Sequence, residues 1–77
     1  MDTKMVDVTI HIDETTRHDE REDLKSCLLN MDGVMAAASH DEKPHLMVIE
    51  YNPDMVDSTE FLDVVKQQGL HGELIGL

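Results

Sequence analysis

Five histidines and one cysteine, set among 17 Asp and Glu, are the side chains through which this chain could do chemistry. His40 and His45 flank the turn-forming run Asp41-Glu42-Lys43-Pro44. If the hairpin pairs symmetrically there, the two imidazoles stand opposite each other on one face of a sheet, with Asp41 or Glu42 beside them. Nitrogen and oxygen donors of that kind suit Zn(II), Ni(II) or Cu(II). The same residues also read as a solvated hairpin tip. His18, next to Asp19 and Glu20, is a second candidate for a weak divalent site, against the reading of a solvated helix start. Cys27 is the single cysteine, so this chain can neither close an internal disulfide nor offer two thiolates to a soft ion.

The elements that position these groups follow from the apolar spacing. Val6, Val8, Ile10 and Ile12 alternate with Asp7, Thr9, His11 and Asp13, the period of a half-buried strand, with His11 on the face away from the core. Leu24, Cys27, Leu28 and Met31 recur at helical spacing after a polar connector, and Asp32-Gly33 stops that helix. Val34–Ser39 reads as a weak strand and His45–Tyr51 as a strong one rich in Val, Ile and Tyr. Asp57 is the expected cap of a second helix, with Glu60 in the reciprocal position and Val56 and Phe61 placed as a hydrophobic staple. Gly69 ends that helix, and Glu73–Leu77 is a last short strand. The order β-α-β-β-α-β predicts an α+β fold: the ferredoxin-like split βαβ arrangement, a four-stranded antiparallel sheet with both helices on one face.

Composition narrows the function classes. The net charge of −11 repels a phosphate backbone and an anionic membrane surface, so neither nucleic acid nor membrane insertion is expected as a partner. The start, Met1-Asp2-Thr3-Lys4-Met5, lacks the features of a signal peptide, and a cytoplasmic location is expected. An enzyme is not expected. There is no glycine-rich phosphate loop, no serine on an elbow motif and no Cys-His pair. Arg17 could serve an acylphosphatase-like reaction, which this topology also supports. Its connector, however, has no glycine to bring backbone donors to an anion and is crowded by Asp13, Glu14, Asp19 and Glu20.

From helix 1 onward the chain resembles the heavy-metal-associated domain of copper chaperones and metal-pumping ATPases. The resemblance rests on five landmarks in order: Met31-Asp32-Gly33-Val34, Ile49-Glu50-Tyr51-Asn52-Pro53, Ser58-Thr59-Glu60-Phe61-Leu62, Gln68-Gly69-Leu70 and Gly72-Glu73-Leu74-Ile75. It implies one domain over residues 1–77. It also implies a metal loop before helix 1, in which the family carries Met-x-Cys-x-x-Cys to clamp Cu(I) or another soft ion. Counting back from Gly33, those positions fall on Thr15, Arg17 and Glu20. None is a soft donor, and Arg17 is a fixed positive charge. The fold carries over and the thiolate clamp does not. Cys27 lies about two turns beyond the loop and reads as a small buried hydrophobe of the helix stripe.

The expected role is therefore that of a non-enzymatic binding module working through a protein partner or a homodimer. The alternative is metal binding or trafficking through His and carboxylate ligands. If Met47, Ile49 and Tyr51 face the core, then Leu46 and Val48 are exposed on the open sheet face with His11, and Met35, Ala36 and Ala38 widen the patch. Such a patch marks an interface or is ordinary surface. Family members dock through the face around the metal loop, so by resemblance Thr16–Asp23 is a second candidate surface. The missing clamp yields a direct test. Cu(I) competition against a chromophoric chelator should show only weak binding, whereas tight one-to-one Cu(I) binding would mean that the loop is misplaced.

Overall fold

The computed structural model describes residues 4–76; Met1–Thr3 and Leu77, the last residue of the expected fourth strand, lie outside them. The elements run β1 (Val6–Ile12), α1 (His18–Leu29), β2 (Val34–His40), β3 (Lys43–Tyr51), α2 (Thr59–Gln67) and β4 (Gly72–Gly76). The sheet is antiparallel in the order β2-β3-β1-β4. No helix among the described residues is long and apolar enough to cross a membrane.

The alternation in β1 decides which face is buried. Val8, Ile10 and Ile12 are fully buried, as are Met47 and Ile49 of β3, and all join one cluster with Leu24 and Leu28 of α1 and Phe61 and Val65 of α2. Both helices therefore cover the same face. Phe61 meets Tyr51 edge to face, with ring centroids 4.9 Å apart, the arrangement that ring quadrupoles favour. The opposite face is left open.

Local chemistry sets the ends of the elements. Asp57 accepts from the backbone N–H and the hydroxyl of Thr59, while the Glu60 carboxylate accepts from the Asp57 N–H. The expected reciprocal cap therefore forms, and its bonds hold the Asp57 carboxyl below its ordinary range. In α1 the buried positions are Arg21, Leu24 and Leu28. Cys27 departs from the expected stripe. It is only half-buried, and its Sγ lies 3.4 Å from the Gln68 amide nitrogen beside α2. The helix is rotated so that a charged residue, Arg21, takes a core-facing position.

Gly33 and Gly69 are the residues with positive φ, at 96° and 79°. A Cβ on Gly33 would lie 2.7 Å from the Met55 Cβ and 3.2 Å from Val56, whereas one on Gly69 would meet nothing within 4 Å. Gly69→Ala should therefore cost about 1 kcal/mol, from backbone conformation alone. Gly33→Ala adds overpacking and should cost about 3 kcal/mol. Urea midpoints of the two variants check the order; equal losses would contradict the packing at Gly33.

Candidate metal centre

The connector between β1 and α1 is held by ion pairs and hydrogen bonds. The Arg17 N–H donates to the Glu20 carboxylate at 2.8 Å, starting the helix. The Arg17 guanidinium lies 3.4 Å from Asp19 and 3.6 Å from Glu20. Beneath it the Arg21 guanidinium donates to the Thr16 carbonyl at 2.6 Å, to the Thr16 hydroxyl at 2.9 Å and to Asp41 of the β2–β3 turn. The Arg21 side chain is 4% exposed and Asp41 71% exposed, so a buried cation is anchored by a surface carboxylate. A soft-ion clamp does not fit here. The donors at the three loop positions are a hydroxyl, a guanidinium and a carboxylate already engaged with Arg17.

The histidines expected to share a site at the hairpin are not set opposite each other. The turn contains only Asp41 and Glu42, and His40 pairs with Lys43 across it. A register shift between Ser39 and His40 breaks the symmetric pairing that would have set His40 against His45. His45 turns toward β1 instead. Its Nδ1–H donates to the Ile12 carbonyl at 2.8 Å, and its ring stacks on His11 with centroids 5.7 Å apart and planes 12° apart. Asp41 is brought to His18, with Nδ1 and Oδ1 2.9 Å apart. That bond, followed by the one from Arg21, lowers the Asp41 pKa from its ordinary value. His18 and Arg21 thus share the Asp41 carboxylate.

A different set converges at the other edge of β1. The register places His11 opposite Glu73 of β4, and Asp13 follows two residues beyond His11. The His11 Nδ1 lies 3.6 Å from Asp13 and 3.9 Å from Glu73. Those separations exceed a hydrogen bond, and Nδ1 is shielded from solvent with no hydrogen-bond partner. The three donor atoms all fall within 4.8 Å of one another. Bonds of about 2.0–2.1 Å in a tetrahedral site set donors about 3.3–3.4 Å apart, so a small closing movement suffices. The carboxylates are 64% and 68% exposed and free to make it, while His11 is held by its stack on His45. The sequence placed His11 on this face but did not join it to Asp13 and Glu73. The His-x-Asp spacing on one strand was the available signal; the third member needs the β1–β4 register.

The backbone beside this cluster is clasped. The Asp13 N–H donates to the His71 carbonyl at 2.7 Å, and Glu14 accepts from the His71 N–H and from its Nδ1 at 2.8 and 2.6 Å. The bond to Glu14 raises the His71 pKa, and the bonds to His71 lower that of Glu14.

No protein-family model and no curated protein matches this sequence. Solved structures do. A copper-binding domain of the P-type ATPase HMA7 superposes with a TM-score of 0.82 at 14% identity, covering 91% of this chain and 93% of that one. Oxidized MerP from Ralstonia metallidurans CH34 gives 0.82 at 13%, over 92% and 97% of the two chains. The CopZ metallochaperone gives 0.80 at 19%, over 88% and 100%. The chain has the fold of heavy-metal-associated domains. On that fold the loop of Thr15, Arg17 and Glu20 carries charged and hydroxyl groups, and the His11 cluster lies on the open sheet face.

The Asp41 anchor has a defined pH signature. A carboxyl whose pKa is lowered by folding stabilises the fold above its ordinary value, here 3.8, and loses that contribution as pH falls through the lowered value. Asp41→Asn should lower the urea midpoint at pH 6. The gap from the parent should shrink once the pH drops below that ordinary range. A gap that stays constant down to pH 2 would show that Asp41 does not hold Arg21 by charge.

Proposed function

We propose that this chain is a non-enzymatic metal-binding module built on the heavy-metal-associated fold. Its ion belongs to the Zn(II), Ni(II) and Cu(II) class rather than being Cu(I). The observation that carries this reading is the His11 Nδ1, shielded from solvent, without a hydrogen-bond partner and facing the Asp13 and Glu73 carboxylates. One nitrogen and two oxygens are a borderline-to-hard donor set, and two carboxylates match the charge of a divalent ion. Three protein ligands would leave a fourth position open to water or a further donor. The likeness to copper-binding domains supports a metal-handling role in general, while the connector's donors argue for a different ion and a different place. The His40–His45 hairpin site is not proposed, because the register pairs His40 with Lys43 rather than with His45.

The test is calorimetric titration with Zn(II), Ni(II) and Cu(II) in a non-chelating buffer at pH 7. His11→Ala and Glu73→Gln should each weaken binding of the preferred ion at least tenfold, and His40→Ala should leave it unchanged. Thermal unfolding of each variant controls for folding. Equal affinities in parent, His11→Ala and Glu73→Gln would overturn the site.

A further inference from the structure

We propose that the open face of the sheet docks a cationic amphipathic helix of a protein partner. This surface goes beyond the metal site, although the two share a rim. The register places Thr9 of β1, Leu46 and Val48 of β3, and Ala36 and Ala38 of β2 on this face: Thr9 and Ala38 both pair with Val48, and Ala36 pairs with Glu50. Val48 is 39% exposed, although its neighbours Met47 and Ile49 are fully buried on the other face. Met35, 55% exposed, occupies the bulge that offsets β2 at its start. The patch is small and aliphatic, and no helix of the described chain covers it.

Its charge selects the occupant. Asp7 and Glu50 pair at one end of the face, and Asp13 and Glu73 close the other. Four of the six cations are engaged away from this face: Arg21 is buried under the connector, Arg17 and Lys25 pair with acids of α1, and Lys4 pairs with Asp54. Lys66 is on α2, and Lys43 stands at the hairpin end of β3, opposite His40. A second copy would bring together two bodies each carrying −11, which charge repulsion opposes. A partner with basic groups at both ends of an apolar stripe is complementary at all three zones.

Dimensions select the form. Asp13 lies six residue steps beyond Asp7, which at about 3.4 Å each is about 20 Å. Three strands about 4.8 Å apart span about 10 Å. A helix of about 13 residues has that length and that diameter. Helices already cover the other face of this sheet, the usual way a sheet face is closed.

The probe is a synthetic 14-residue helix with Leu along one stripe and Lys at both ends, titrated into the full chain in EDTA so that no metal contributes. Nitrogen-15 NMR should show the largest shifts at Thr9, Ala36, Ala38, Leu46 and Val48. A peptide of the same composition with the stripe scrambled should bind at least fivefold more weakly. Val48→Asp adds negative charge, so attraction by charge alone would tighten binding, whereas docking on this face should weaken it at least fivefold. Ala38→Glu, on an exposed strand position, should do the same and guards against a folding defect at Val48. Shifts confined to α1, tighter binding by either variant, or a parent protein that sediments as a dimer through this face would each overturn the proposal.

Discussion

A buried guanidinium holds one end of this molecule together. Arg21 sits at a core-facing position of α1, where it reaches the Thr16 carbonyl and hydroxyl and the Asp41 carboxylate. Those contacts join three segments: the connector, the first helix and the β2–β3 turn. A cation in that place needs several oxygen partners at once, because burial without them is costly. The connector is therefore shaped around a charge supplied by the chain itself. Thr16 is buried because it serves that cation, and its hydroxyl donates in turn to the Pro44 carbonyl at 2.6 Å. A loop committed in this way has neither the donors nor the freedom to close on a soft ion.

The consequence is a division of the surface. On the connector side, acidic groups pair with Arg17, His18 and Arg21, and their charge is spent within the chain. On the open side of the sheet, His11 faces Asp13 and Glu73 at distances that satisfy neither a hydrogen bond nor full separation. The stack of His11 on His45, itself tied to the Ile12 carbonyl, fixes the ring that would have to be rigid for an ion to bind. The clasp of Glu14 and His71 keeps the two carboxylate-bearing segments adjacent.

The sequence carried most of the fold because its signals are local. Alternation in β1 and the Asp57–Glu60 cap each depend on neighbours a few residues apart, and each is present in the structure. The first helix ends earlier than its spacing predicted, at Leu29 with Asn30 as its cap, and Gly33 with its positive φ lies in the turn that leads into β2. Cys27 and Arg21 show where that logic ended. Both lie on α1 with spacing compatible with the buried stripe, and hydrophobicity alone favoured the cysteine. Burial of Arg21 depends on Asp41, 20 residues away in the chain.

The candidate site divides along the same line. By itself the sequence determined that two thiolates could not be offered, that His11 faces away from the core, and that the acidic charge crowds the start of helix 1. Only the tertiary structure decided which groups meet. A register shift of the β2–β3 hairpin paired His40 with Lys43 rather than His45, and the β1–β4 register brought Glu73, 62 residues distant, opposite His11. Register belongs to a pair of strands. One residue of slip exchanges the faces of every side chain, and no local spacing encodes it.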